Sequence, residues 1–243
     1  MPSPKSRHLD CFQLVSPERI PRADFHLHTS WTDGANSVVE MYSRAEELGL
    51  DSVLFSEHGR KSSVDWFSSF ADEVRGLDAG RCTPLVGLET KVADFEGSLD
   101  TTESIIGVCD LVMASVHRFP HELNPRGNPD NLSADEVIET EFRLARAAIS
   151  NPLVDILGHP FGMCLRRFKV TPPDARFLDL IEVAAEHQVC FEINAHYHED
   201  LWKLIRWCQE LGAPISLGSN AHDTHSVGRV LDSLEADASR ASN

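Results

Sequence analysis

A chain of 243 residues with 42% hydrophobic and 25% charged side chains can bury a sizeable core, and its length suits a single barrel of alternating strands and helices. The formal net charge of −16 excludes broad, sequence-independent nucleic-acid binding, which draws on lysine and arginine facing phosphates, but it does not exclude nucleotides. No run of about 18 apolar residues occurs and the start lacks the apolar stretch of a signal peptide, so a cytoplasmic protein without a membrane partner is expected.

From residue 23 onward, short apolar runs alternate with stretches of helical period. The runs are Asp24 to His28, Ser52 to His58, Pro84 to Glu89, Leu111 to His117, Asp155 to His159, Cys190 to Asn194, and Pro214 to His222. Helices are predicted near 37–48, 62–79, 134–149, 174–187, 199–211 and 226–236. Ser133-Ala-Asp-Glu136 reads as a capping box, and Gly49 ends the Val38, Tyr42, Ala45, Leu48 stripe. Residues 97–109 leave room for a short helix only. Residues 118–132 form a turn-rich loop, a candidate lid. The cysteines Cys11, Cys82, Cys109, Cys164, Cys190 and Cys208 contain no C-x-x-C pair and read as buried thiols.

Every predicted strand ends in a residue able to bind a metal or support such a ligand: His26 and His28, Glu57 and His58, Glu89, His117, His159, Glu192 with Asn194, and Asn220 with His222. In a barrel of parallel strands these ends converge on one face. In Asp24-Phe-His-Leu-His28 a period of two puts both imidazoles on one face, with Phe25 and Leu27 packing outward.

These segments, together with Thr32-Asp-Gly34, Ser56-Glu-His58, Gly87-Leu-Glu89, Ser115-Val-His117, Gly158-His-Pro160, Glu192-Ile-Asn194 and Gly218-Ser-Asn-Ala-His222, resemble the ordered motifs of the PHP family, named for polymerase and histidinol phosphatase. The resemblance covers residues 24 to about 229. It implies an α/β fold, a distorted seven-stranded TIM-like barrel over 23–235, between an N-terminal extension at 1–22 and a flexible tail at 236–243. It also implies two or three Zn, Mn or Fe ions. One would sit on His26, His28, Glu89 and Asn220, a second on Glu89, His117 and His159, and a third on Asp33, His58 and His222. Mixed imidazole and carboxylate donors suit those metals. Asn220 departs from the family, which usually has aspartate there, and Glu57 stands where aspartate often precedes the histidine; a supporting role is expected for Glu57, orienting a ligand or its water.

The implied activity is hydrolysis of a small phosphomonoester by in-line attack of a metal-bound hydroxide, with no serine or cysteine nucleophile. Arg118 is the best-placed guanidinium for the phosphoryl oxygens, with Arg126 and Arg167 as weaker substrate contacts. A nuclease or nucleotide phosphodiesterase ranks second, since only Arg166-Arg167-Phe168-Lys169 approaches a basic, aromatic-interleaved track; a non-catalytic metal-binding barrel ranks third. His8, His121, His187, His196, His198 and His225 are expected in surface roles.

Overall fold

A computed structural model describes residues 15–78, 80–120 and 132–241. His8, Cys11, His121, Arg126 and most of the expected lid lie outside the described residues.

Seven parallel strands run in chain order around one sheet: β1 (Ala23–Leu27), β2 (Ser52–His58), β3 (Thr83–Lys91), β4 (Leu111–Ser115), β5 (Ile156–Gly158), β6 (Cys190–Asn194) and β7 (Ile215–Gly218). The sheet curls into a nearly closed barrel. Its seam is bridged where Ala221 pairs with Leu27: the His28 amide donates to Ala221 O at 2.8 Å, and the Ala221 amide to His26 O at 2.9 Å. The helices between them are α1 (Val38–Glu47), α2 (Phe67–Arg75), the one-turn α3 (Glu103–Ile106), α4 (Ala134–Ile149), α5 (Asp174–His187), α6 (Leu201–Leu211) and α7 (Arg229–Ala241). Among the described residues, no helix is long and apolar enough to cross a membrane.

Local signals fix several boundaries. Ser37 and Ser133 each close a capping box, with Glu40 and Glu136 respectively, and the helices begin there because two orphan amide donors are satisfied reciprocally. Gly49 takes φ +67° after α1, as a helix-ending glycine does. The predicted 62–79 helix breaks into a 3-10 turn at Lys61–Ser63 followed by α2. The last helix runs on through Ala241, so the expected tail from 236 is largely helical. Val15 is buried in the main core and its carbonyl accepts from Gln209 Nε2 at 2.6 Å, which ties the end of the expected N-terminal extension to the barrel.

Two apolar layers result. Alternate strand residues such as Val53, Phe55, Val86, Leu88 and Ala114 pack outward against the helices. The opposite set, Ala23, Phe25, Leu54, Leu85, Leu111, Met113, Ile156 and Cys190, plugs the lower barrel. Phe25 corrects the sequence expectation. Between the pairs Asp24↔Val53 and Leu27↔Phe55, β1 advances three residues while β2 advances two. This bulge lets Phe25 face the floor and His26 face the site directly above it, while Leu27 alone packs outward. Of the described cysteines, Cys82, Cys164, Cys190 and Cys208 are buried and Cys109 is partly so.

Candidate metal centre

The two-residue period carries each strand from the floor to the site: Leu54, Ser56, His58 on β2; Leu85, Gly87, Glu89 on β3; Met113, Ser115 and then His117 on and after β4. Small residues in the middle step leave room above the floor, and the candidate ligands sit at the strand ends, where Glu89 is the hub. Its carboxylate lies within 3.5 Å of five imidazoles: His26 at 3.5 Å, His28 at 3.4 Å, His58 at 3.0 Å, His117 at 3.1 Å and His159 at 2.9 Å. Ser115 Oγ donates to Glu89 Oε1 at 2.6 Å, whereas the buried Oε2 has no hydrogen-bond partner.

The imidazoles also face one another. His26 Nε2 is 3.1 Å from His28 Nε2, and His117 Nε2 is 3.2 Å from His159 Nε2. Asp33, on the turn after β1, lies 3.5 Å from His58 Nε2 and 3.4 Å from His222 Nε2. Burial opposes charge on every one of the enclosed groups. Even so, the surrounding histidines hold Glu89 well below the usual carboxylate range, and Glu192 and Glu89 hold His26 well above the ordinary histidine value. His28, buried and surrounded by other imidazoles, is pushed well below it. His58 rises to about 10 because Glu89 and Asp33 outweigh its burial.

Such an arrangement fits divalent cations. Imidazole Nε2 atoms that face one another at 3.1–3.2 Å, around a buried carboxylate oxygen without a hydrogen-bond partner, form a donor set of the kind that a metal ion would complete. Three donor groups are close enough to share ions: His26, His28 and Glu89; His58, Glu89 and His117; and His28, Asp33, His58 and His222. The structure thus brings together His26, His28, Asp33, His58, Glu89, His117, His159 and His222, and it places His28 and His58 so that each borders two groups. Asn220 lines the same cavity, in the left-handed region at φ +50°, and its backbone carbonyl accepts from His222 Nδ1 at 3.0 Å.

The hydrogen-bond partners of the candidate ligands come largely from β6. Glu192 Oε1 accepts from His26 Nδ1 at 2.7 Å and from Asn194 Nδ2 at 2.9 Å, and Oε2 accepts from the His159 amide. Glu57 accepts from the Thr29 amide and hydroxyl, both at 2.6 Å, and from the Thr32 hydroxyl, so it holds the turn that carries Asp33. His198, expected at the surface, is buried, accepting from the Asn194 amide at 3.1 Å and donating to Pro160 O at 2.9 Å; His196 and His225 are exposed.

Above the cluster lies a cavity of about 380 Å³, lined by Asp33, His58, Glu89, His117, His159 and His222 together with Arg60, Lys91, Arg118, Tyr197 and Asn220, while His26 and His28 lie buried beneath it. Arg118 is therefore at the mouth and, among the described residues, has no carboxylate partner, while Lys91 pairs with Asp100 at 3.4 Å. Arg167 is exposed and lies against Phe168, away from the cavity lining. Arg60, Lys91 and Tyr197 carried no sequence signal, because each is a common loop or strand-end residue whose role depends on where its neighbours fold.

The PHP domain family matches residues 24–196. A protein named as a probable phosphatase of Thermoanaerobacter sp. (strain X514) is 27% identical over 87% of this chain and 83% of its own length. The DNA polymerase/3'-5' exonuclease PolX of Bacillus subtilis is 24% identical over 96% of this chain but only 39% of its own length. Among solved structures, the histidinol phosphate phosphatase of Lactococcus lactis, complexed with zinc, L-histidinol and phosphate, superposes with a TM-score of 0.65 at 16% identity, covering 90% of this chain and 94% of that one.

Proposed function

Because the chain belongs to the PHP domain family, and its matched segment includes His26, His28, Asp33, His58, Glu89, His117 and His159, we propose that it is a metal-dependent phosphatase acting on a small phosphomonoester. The observation that carries this reading is the convergence of five imidazoles on one buried carboxylate beneath an open cavity. Two or three Zn, Mn or Fe ions would be held by His26, His28, Asp33, His58, Glu89, His117, His159, Asn220 and His222. Bound there, they would supply the Lewis acidity that activates water and neutralises charge on a phosphoryl group.

The chain's own residues do the rest. Arg118 offers a planar guanidinium for two non-bridging oxygens, free of any competing carboxylate among the described residues. Glu192 holds His26 and the His159 backbone, and Glu57 holds the Asp33 turn, so the ligand set keeps its shape as substrate enters. A cavity of about 380 Å³ lies at the small end of ligand sites, which favours a compact monoester over an oligonucleotide. The similarity to PolX supports a nuclease as the second reading, but the Arg167 side of the candidate track lies off the cavity, and Phe168 there stacks on Phe119.

Protein purified without chelator is expected to carry about two or more equivalents of transition metal per chain. It is expected to release phosphate from sugar or amino-alcohol phosphates, with His117→Ala inactive. A folded, metal-free protein sinks the proposal, and a metal-loaded one that cleaves only oligonucleotides replaces it with the nuclease reading.

A further inference from the structure

A metal-binding imidazole is normally oriented by a hydrogen bond to its second nitrogen. His26 has such a bond to Glu192 and His222 has one to Asn220 O. His28 and His159 do not: the Nδ1 of each is buried without a partner, and whereas the His28 ring packs between His58 and His222, His159 has only its Nε2 contact to Glu89, at 2.9 Å, and its ring neighbours to fix it. Its backbone is also unusual, at φ +28°, in a region that non-glycine residues seldom adopt. Something else must hold the ring.

We propose that Tyr197 is a positioning residue that fixes the His159 imidazole for metal binding by stacking on its face; this rests on the metal-dependent reading above. The two ring centroids are 4.4 Å apart with planes inclined by 26°. Gly162 completes the slot, because a Cβ there would stand 2.7 Å from His159 Nδ1 and 3.1 Å from Tyr197 Cδ1. Tyr197 is itself held by the chain on either side of it. The neighbouring His198 ties Asn194 to Pro160, clamping the loop after β6 onto the loop that carries His159. The ring face makes the contact, and the phenolic hydroxyl has no hydrogen-bond partner among the described residues.

The test measures zinc and manganese affinity by chelator competition, with thermal unfolding in excess chelator to show that each apo variant folds. Tyr197→Phe keeps the ring and is expected to bind like the wild type. Tyr197→Ala and the bulk-preserving Tyr197→Leu are expected to weaken one metal by about 10-fold to 100-fold. Gly162→Ala is expected to do the same, although its backbone at φ −60° and ψ −37° suits alanine. Wild-type affinity in the Ala and Leu variants, or a Phe variant as weak as Ala, overturns the proposal. A wild type that binds no metal at all overturns the functional reading itself, and is told apart from the other outcomes at once.

Discussion

Asn220 joins two properties that pull in different directions. At φ +50° the position favours asparagine or aspartate over most residues, so the backbone there tolerates either. As a donor, however, an amide oxygen lacks the charge that would offset a cation, in a cluster where His26, His28 and Glu89 already share a buried space. Asn220→Asp is therefore expected to tighten one metal by about tenfold or more while leaving apo stability nearly unchanged, since one tenfold step needs only about 1.4 kcal/mol of added attraction. Chelator competition on both proteins decides this; equal affinities would show that the side chain does not reach the metal. At the same scale, Glu57 shows what residue identity alone conceals. A carboxylate beside His58 reads as a ligand's companion, and only the fold turns it toward Thr29 and Thr32.

The strands themselves were legible because apolar alternation and terminal histidines coincide; β2 and β6 and the helices α4 and α5 lie where periodicity and capping place them. The bulge in β1 was not, since it depends on pairing with β2 rather than on any residue in Asp24-Phe-His-Leu-His28. Glycines in the middle tier are a second case in which context decides. A Cβ at Gly218 would run into Glu192 Oε1 and come within 2.9 Å of His26 Cβ, so Gly218→Ala is expected to cost about 1–3 kcal/mol and to loosen His26, as read by urea unfolding and metal content. The segment after β5 forms a π-helix at Met163–Phe168, which no period announced. Its first amides donate to the buried Glu141 of α4, Met163 at 3.0 Å and Cys164 at 2.7 Å, and burial still raises that carboxyl to about 7. The Cys164 thiol beside it is raised as well, by its own burial and by Glu141, and stays neutral. Because the folded value lies above the ordinary 4.5, Glu141 contributes stability that is complete below about pH 4.5 and lost as pH rises through 7. Relative to Glu141→Gln, the wild type should lose on the order of 3 kcal/mol between pH 5 and pH 8. Parallel urea curves whose separation does not change with pH would rule this out.

The whole barrel has one weak line, and the candidate metal ligands straddle it. β1 and β7 meet through the bridge at Leu27 and Ala221, reinforced by Asp24, whose buried carboxylate accepts from the Ser219 and Gly228 amides, each at 2.9 Å. His26 and His28 stand on one side of this seam and Asn220 and His222 on the other, with the His28 and His222 rings 4.5 Å apart. Cations held by both sides would cross-link the seam, so binding energy becomes closure energy of the barrel. At a thousandfold excess over Kd, one metal stabilises the fold by about 4 kcal/mol, which for a chain of this size raises Tm by about 10 °C. Stabilisation of this kind should also be local. Chelation is expected to speed amide exchange at His28 and Ala221 more than at the central pairing of β3 with β4, and Asp24→Asn, which sets an amide donor against a backbone donor at Ser219 or Gly228, should open the same line at a cost of about 1–3 kcal/mol. Exchange that rises uniformly around the barrel on metal removal would mean that the ions add to stability without closing the seam. Exchange confined to residues 26–28 and 219–222 would identify the metal cluster as the eighth side of a seven-stranded barrel.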